Sequence, residues 1–254
     1  MDFEDIKGLE IIADRAWPAR EISRGPGWEC RFSDGMHRRL NSASVWAADD
    51  LAATVGFIEA WFEERGQSPI FKLTAASADG LDEYLTDRGY QPDARVTVMT
   101  ADLDDSAPEA AADGVEISPE ASAEWIDAFA TMSGYGDDRR RLLGAVLSRI
   151  DLPAAYGLSR GDRTVASVGM AVAEADHAGV FEMFTHPDHR RQGHATTVLH
   201  GLLGWMQEQG VRTPYLQVLK GNRPAELLYA ASGFVPRYYY WYRVRPGWLS
   251  STPR

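Results

Sequence analysis

Apolar side chains recur at helical spacing after Gly193. They follow the i, i+3, i+4, i+7 pattern that gives a helix one buried face. The positions are Ala195, Val198, Leu199, Leu202, Leu203, Trp205 and Met206. An apolar run from Val180 precedes them, and a basic loop lies between the two segments. The pattern therefore predicts a strand, a short loop and a helix in direct succession.

This loop lies at the N-terminus of the predicted helix. The first backbone N–H groups of a helix have no intrahelical partner, and the helix dipole places partial positive charge there. Such a site suits a phosphate or a pyrophosphate. Gly193 lets the backbone approach the ligand because it carries no Cβ. We therefore predict an anion-binding loop.

The same order of elements occurs twice, at a constant offset of 144 residues. Four residue pairs share the offset: Trp61 with Trp205, Gly66 with Gly210, Gly89 with Gly233, and Tyr90 with Phe234. Residues 101–114 are small and acidic, with one proline and one glycine, which is typical of a linker. The chain is therefore predicted to hold two copies of a mixed α/β unit, joined by this linker.

Composition narrows the possible partners and the compartment. The 254 residues include 26 basic and 37 acidic side chains, and the net charge of −11 argues against nucleic-acid or anionic-membrane partners. Cys30 is the only cysteine, which excludes an intrachain disulfide and a multi-cysteine zinc site. The first residues are acidic, and no stretch approaches the roughly 20 apolar residues that span a bilayer. We expect a soluble cytoplasmic protein.

Two motifs together carry a family resemblance. Residues 190–195 match [Arg/Gln]-x-x-Gly-x-[Gly/Ala], and residues 222–234 read Asn-x-x-Ala-x-x-Leu-Tyr-x-x-x-Gly-Phe. With the intervening helix and strand, residues 115–245 closely resemble the GCN5-related N-acetyltransferase (GNAT) superfamily. The resemblance implies an α/β fold of two tandem GNAT-like domains, each a mixed, largely antiparallel sheet flanked by helices. The predicted bounds are 1–100 for a degenerate domain and 115–254 for a catalytic one.

The resemblance also implies a cofactor and its binding residues. The acyl donor is expected to be acetyl-CoA or another acyl-CoA, with its pyrophosphate on backbone amides of the loop and its pantetheine on the main chain of residues 183–185. The side chains of Arg190 and Arg191 add positive charge that offsets the negative charge of the phosphates. The implied cofactor-binding residues are Met183, Phe184, Thr185, Arg190, Arg191, Gln192, Gly193, His194, Ala195, Thr196 and Asn222. For Asn222, helix capping alone is a sufficient explanation.

The N-terminal copy lacks the features of the cofactor loop. At the 144 offset, the loop falls on residues 47–51, which contain two aspartates, no glycine and no basic residue. These carboxylates would repel a pyrophosphate. Tyr229 falls on Leu85 at the same offset. We therefore predict one cofactor site, in the C-terminal copy.

Two residues are candidates for the chemistry. The family pattern gives Tyr229 the role of general acid toward the CoA sulfur, and the alternative is a tyrosine that only packs beside Leu227 and Leu228. Glu182 lies in the apolar strand, where alternation predicts the same face as Val180 and Phe184. It is a candidate general base, acting directly or through water, or an anchor for a cationic amine. The alternative is a solvated or paired carboxylate.

Two further groups of residues attract other interpretations. His186, His189, His194 and His200 are close in sequence, but they straddle a strand end, a loop and a helix without metal-ligand spacing, so no metal site is predicted. The aromatic run at residues 238–242 suits core packing, with an acceptor pocket as the alternative for some rings.

The predicted function is an acyl-CoA-dependent N-acetyltransferase. It moves an acetyl group from acetyl-CoA to a primary amine, either a small-molecule amine or a peptide N-terminus, by direct attack. One alternative is a noncatalytic acyl-CoA-binding regulatory protein, and another is an aminoacyl-tRNA-dependent transferase. Either a monomer, in which the tandem copies form a pseudo-dimer, or a homodimer is compatible with the sequence.

Overall fold

A computed structural model describes residues 1–103, 114–162 and 164–246. Two compact units are present. The first comprises Met1–Thr97 with the described residues from Tyr238 onward, and the second comprises Val98–Arg237. Among the described helices, none combines the length and the apolar character of a membrane span.

The first unit is a mixed sheet flanked by helices. Its strand order is β1-β2-β3-β4-β11, where β11 is Val235–Val244; β3 and β4 are parallel and the other neighbours are antiparallel. Its core lies between the sheet and two helices, α2 and α3. The element bounds are α1 Phe3–Ala16, β1 Glu21–Gly25, β2 Trp28–Phe32, a short 3-10 helix Arg38–Leu40, β3 Ala43–Val45, α2 Leu51–Glu63, β4 Ile70–Leu73, α3 Leu81–Asp87 and β5 Gln91–Thr100.

The second unit has the same construction. Its strand order is β6-β7-β8-β9-β10-β5, antiparallel from β6 to β9 and parallel between β9 and β10. The element bounds are β6 Val115–Ser118, α4 Ala123–Met132, α5 Asp137–Leu147, β7 Ala154–Arg160, β8 Val165–Glu174, β9 His177–Thr185, a 3-10 helix Pro187–His189, α6 His194–Glu208, β10 Thr213–Leu219, α7 Arg223–Ala231 and β11 Val235–Val244. The unit boundary falls inside β5 and β11.

The internal repeat is visible in the element bounds. β5 and β11 are both ten residues long and differ by 144 at each end. The pairs α2 and α6, β4 and β10, and α3 and α7 follow the same order in the two units. The predicted fold class, a tandem α/β protein with mixed sheets flanked by helices, is confirmed.

The compact units differ from the predicted domain bounds. The division into 1–100 and 115–254 stays a prediction, whereas the structure groups the strand residues after 238 with the first unit. There, residues 241–244 pair with Leu73–Ile70 of β4. Residues 104–113 of the predicted linker lie outside the described residues.

The aromatic run at residues 238–242 packs mainly into the first unit. Tyr240 and Tyr242 are buried, as core packing predicts, and Tyr239 is exposed. The Tyr238 hydroxyl donates a hydrogen bond to Glu10 Oε1 over 2.7 Å. Glu10 also forms an ion pair with buried Lys72. The run therefore contributes core and a buried polar network within this unit.

Candidate functional site

The helix predicted after Gly193 is α6, and its buried face forms the core of the second unit. Val198, Leu199, Leu202 and Met206 are fully buried there. Leu203 and Trp205 pack partly buried against the same cluster. The helix begins at His194, so the cofactor loop, residues 190–195, lies at its N-terminus.

The backbone of this loop leaves the helix N-terminus accessible. Gly193 is the N-cap residue, with φ +91° and no side-chain cap, and Arg191 also has a positive φ of +64°. The first helical hydrogen bond is donated by Thr197 N–H to the Gly193 carbonyl over 3.0 Å. Residues 190–193 are exposed, and the first turn of α6 holds no acidic residue. Such turns direct N–H groups toward an anion, so the residues present suit a pyrophosphate.

The strand before the loop, β9, contains a β-bulge at Glu182. Phe181 is opposite Met170 of β8, whereas Phe184 is opposite Val168, so β9 holds one extra residue. Glu182 adopts φ +50° there. A non-glycine residue in this region costs on the order of 1–3 kcal/mol, and such costs concentrate at functional sites.

The bulge reverses the alternation of side chains along β9. Met170 and Val168 are two residues apart and share a face, so Phe181 and Phe184 share that face as well. The Phe184 ring contacts Phe129 of α4, with centroids 6.1 Å apart. Val180 instead lies in the core cluster beside α6. The prediction that Glu182 shares one face with both Val180 and Phe184 is therefore wrong, because one inserted residue shifts the register.

The ladder between β9 and β10 ends before the bulge. Within the described strands, parallel pairing runs from His177–Thr213 to Val180–Leu216 and stops there. β9 continues to Thr185 and β10 to Leu219 beyond the last pair of this ladder. The main chain of residues 183–185 therefore lies outside this ladder.

Tyr229 and Glu182 interact electrostatically, although they belong to α7 and β9. Tyr229 is buried, with 8% of its surface exposed, and its ring lies 6.1 Å from that of Phe234. Burial raises the pKa of the Tyr229 phenol, and the negative charge of Glu182 raises it further, to about 12. The phenol therefore stays protonated at neutral pH, as a general acid must.

Local capping holds α7, and thus Tyr229, in place. Asn222 is the N-cap residue, and its side-chain oxygen accepts a hydrogen bond from Ala225 N–H over 3.4 Å. At the other end, Gly233 adopts φ +85°, and Phe234 N–H donates to the Tyr229 carbonyl over 3.0 Å. This turn is typical of a helix C-terminus. The capping role of Asn222 is observed, and its contact with CoA stays a prediction.

Three of the four histidines lie side by side next to the cofactor loop. The His189 ring is 5.6 Å from that of His186 and 5.7 Å from that of His194. Hydroxyl groups approach two of them: Thr164 Oγ1 lies 3.1 Å from His189 Nε2, and Ser159 Oγ lies 3.3 Å from His194 Nδ1. Among the described residues, no three or more histidine, cysteine, aspartate or glutamate side chains form a group suited to a metal ion.

The amino-acid sequence matches one known protein family over most of its length. The sequence model of the family described as "Probable histone acetyltransferase Rv0428c C-terminal" matches residues 4–243. The chain belongs to this acetyltransferase family. The match spans both units, and it confirms the GNAT resemblance and the prediction of a GNAT-type N-acetyltransferase.

Individual sequences and solved structures are similar to this acetyltransferase. "Uncharacterized N-acetyltransferase YobR" of Bacillus subtilis (strain 168) is 27% identical over 248 residues, which cover 95% of this chain and 99% of that protein. A GNAT structure from Kribbella flavida superposes with a TM-score of 0.65 and 18% identity, covering 96% of this chain and 94% of that one. A tandem GNAT protein from the clavulanic acid biosynthesis pathway gives 0.60 and 16%, covering 76% and 69%.

The two GNAT-like copies differ at the helix N-terminus that corresponds to the cofactor loop. In the first unit, Asp50 is the N-cap of α2, and its carboxylate accepts a hydrogen bond from Ala53 N–H over 3.0 Å. The equivalent of Tyr229 is Leu85, which is fully buried. This helix N-terminus is thus capped by a carboxylate of the chain itself, whereas that of α6 has no side-chain cap.

Removing the cap of α2 is expected to lower the stability of the fold and to leave the affinity for acetyl-CoA unchanged. Asp50→Ala should lower the free energy of unfolding by about 1 kcal/mol, because one helix N–H loses its acceptor. Denaturant unfolding measures this change, with the neighbouring Asp49→Ala as the control. An equal loss in both variants, or a weaker affinity for acetyl-CoA in Asp50→Ala, would contradict the assignment.

Two aromatic residues of this acetyltransferase are not identified by sequence motifs. Phe181 and Tyr215 are buried, and their rings meet edge to face with centroids 6.1 Å apart. Gly179 is the signal in the sequence that points to them, since a glycine inside a strand often marks a close approach. A Cβ at this position would lie 2.4 Å from the Phe181 ring.

Proposed function

We propose that this acetyltransferase uses acetyl-CoA as its acyl donor and transfers the acetyl group to a primary amine. The site of this reaction lies in the C-terminal copy. The observation that carries the proposal is the N-terminus of α6, which has no side-chain cap and follows β9 after the basic loop that contains Gly193. The acceptor is a small-molecule amine or a peptide N-terminus. The net charge of −11 favours a cationic acceptor over an anionic one.

The donor site divides into three parts. Backbone N–H groups of residues 191–195 receive the pyrophosphate, and the side chains of Arg190 and Arg191 offset its charge. The main chain of residues 183–185 pairs with the amide groups of the pantetheine arm. Asn222, at the N-terminus of α7, makes an additional contact with CoA.

The chemistry follows from the two interacting side chains. The neutral amine attacks the thioester carbonyl carbon, so that a C–N bond forms and the C–S bond breaks. Tyr229 donates its proton to the departing sulfur, and Glu182 accepts the amine proton directly or through water. Glu182 then releases its proton to solvent, and a proton from solvent restores the phenol. Cys30 takes no part as a nucleophile, because burial raises the pKa of its thiol to about 12.

Thiol release from acetyl-CoA across a broad panel of amines tests the proposal. Calorimetry of acetyl-CoA binding, with and without tRNA, accompanies it. Release with any amine supports the enzyme, and binding without release supports a noncatalytic regulator. Binding that tRNA abolishes supports an aminoacyl-tRNA-dependent transferase. The absence of both acetyl-CoA binding and thiol release would contradict the proposed function.

Glu182→Gln is expected to lower kcat at least about tenfold and to flatten the pH–rate profile. The amide has nearly the same shape but accepts no proton in this pH range. Glu208→Gln, an exposed glutamate at the end of α6, is the matched control. An unchanged pH profile in Glu182→Gln would remove this carboxylate from the mechanism and leave it as a structural residue of the bulge.

A further inference from the structure

Ser167 is a fully buried serine of β8 that contacts β9 directly after the bulge. Its hydroxyl donates a hydrogen bond to the Phe184 carbonyl over 2.8 Å. Thr185 Oγ1 lies 3.0 Å from the same serine oxygen. A hydroxyl group carries a single proton, so the Thr185 hydroxyl is the donor in this second hydrogen bond. Ser167 therefore binds two consecutive residues of β9 at once.

The register of β8 against β9 changes at the bulge, and Ser167 is paired on the side that leads to the cofactor loop. Thr185 is opposite Ser167, whereas Phe181, before the bulge, is opposite Met170. If the extra residue were placed after Thr185 instead, the register would slip by one residue and the Thr185 side chain would turn to the other face of the sheet. Its hydrogen bond with Ser167 would then be lost. The Ser167 hydroxyl therefore favours the observed position of the bulge.

Hydrophobic contacts hold the same segment of β9 from both faces of the sheet. Met183 packs against the core cluster beside α6, and the Phe184 ring contacts Phe129 of α4. Hydrophobic contacts are non-directional, whereas a hydrogen bond depends on both distance and angle. Of these side-chain contacts, those of Ser167 therefore constrain the main chain of residues 183–185 most tightly.

A row of buried hydroxyl groups extends from Ser167 toward the cofactor loop. Ser159 of β7 is opposite Ser167, and Thr185 of β9 is opposite Ser167 on the other side. Ser159 is also buried, and its Oγ lies 3.3 Å from Nδ1 of His194, the first residue of α6. The row thus contacts the N-terminus of α6 at one end and the main chain of β9 at the other.

We propose that Ser167 is a positioning residue for the acyl donor, because its hydroxyl holds the main chain of residues 183–185 in place for the pantetheine arm. The inference rests on the proposed function, which assigns this main chain to the donor. A ligand that pairs with a strand needs backbone N–H and carbonyl groups at fixed positions, since its hydrogen bonds weaken when the geometry is disturbed. Ser167 acts through β9 and does not touch the donor itself.

Calorimetry of CoA binding to the full chain tests this role without an acceptor amine. Ser167→Ala removes the hydroxyl and is expected to weaken CoA binding about tenfold. Ser167→Thr keeps the hydroxyl, so its affinity should lie within about threefold of the wild-type value. If the added methyl group prevents folding, Ser167→Cys takes its place. The cysteine carries a weak S–H donor, and its affinity should lie between those of the wild type and Ser167→Ala.

Ser33→Ala is the matched control for the loss of a buried hydroxyl. Ser33 belongs to the first unit, and its Oγ accepts a hydrogen bond from Arg20 N–H over 2.8 Å. This variant should lose stability to denaturant as Ser167→Ala does, but it should keep the wild-type affinity for CoA. Hydrogen exchange of residues 180–186, measured without ligand, should become faster in Ser167→Ala and stay unchanged in Ser33→Ala.

The positioning role is overturned if folded Ser167→Ala binds CoA as tightly as the wild type, or if hydrogen exchange in residues 180–186 does not change. It is also overturned if Ser33→Ala loses as much affinity, because the loss would then follow from stability alone. Equal weakening in Ser167→Ala and in the folded variant that keeps a donor has the same consequence. Failure of the wild type to bind CoA contradicts the proposed function instead.

Discussion

Tyr229→Phe is expected to lower kcat by a factor of about 10²–10⁴ while the affinity for acetyl-CoA changes little. The substitution removes the hydroxyl that protonates the departing sulfur and keeps the ring that packs in the core beside Phe234. Thiol release with an acceptor amine measures kcat, and calorimetry measures affinity. A large loss of kcat with binding retained identifies a catalytic proton donor.

Tyr156→Phe is the matched control for this variant. Tyr156 is a buried tyrosine on β7 of the same unit, and burial also raises the pKa of its phenol. Its loss should leave kcat near the wild-type value. If Tyr229→Phe kept more than about half of the wild-type kcat, the sulfur would have to receive its proton from another group, and Tyr229 would be a packing residue.

The pKa of Tyr229 also predicts the alkaline behaviour of the enzyme. Burial and the charge of Glu182 raise the pKa to about 12, above its usual value of about 10. The acid form is the protonated one, so it persists until the pH nears the raised pKa. We expect kcat to show no loss from Tyr229 between pH 8 and about pH 10. A falling limb near the usual tyrosine pKa that disappears in Tyr229→Phe would contradict this expectation.

Gly193→Asp is expected to weaken acetyl-CoA binding about 100-fold while the fold persists. Aspartate is a favourable N-cap residue, and its carboxylate would accept hydrogen bonds from the first turn of α6, as Asp50 does in α2. The added negative charge would also repel a pyrophosphate. Strain at φ +91° limits the gain in stability. Calorimetry gives the dissociation constant, and thermal unfolding reports the fold.

Gly193→Asn separates charge from shape in this experiment. Asparagine has nearly the same size, tolerates positive φ and caps helices, but it carries no charge. Its affinity for acetyl-CoA should lie between those of the wild type and Gly193→Asp. Equal losses in the two variants would assign the effect to the backbone or to side-chain bulk. Unchanged affinity in both would remove the α6 N-terminus from the donor site.

Much of the fold can be predicted from the sequence, because the relevant signals are local or periodic. The apolar spacing after Gly193 predicts α6, and the buried positions of that helix agree with it. The 144-residue offset predicts the tandem arrangement, and β5 and β11 show the same offset at both ends. The motif at residues 222–234 predicts α7 with Asn222 at its start.

Less of the candidate site can be predicted from the sequence. Strict alternation places Val180, Glu182 and Phe184 on one face, and the bulge makes this wrong, because Val180 and Phe184 lie on opposite faces. No local signal marks which residue of a strand is inserted, since a bulge is defined by register against the neighbouring strand. The Phe181–Tyr215 pair likewise depends on two strands that are distant in the chain.

The sequence by itself determined the repeat, the amphipathic helices, the glycine-containing basic loop before α6 and the absence of glycine and arginine from residues 47–51 of the first copy. These features depend on residue type and on spacing within one segment. The tertiary structure alone decided the φ of Glu182, the end of the β9–β10 ladder, the interaction of Glu182 with Tyr229, and the place of the residues after 238 in the first unit. Each of these depends on strand register or on packing between segments far apart in the chain, and spacing along a single segment carries no record of either.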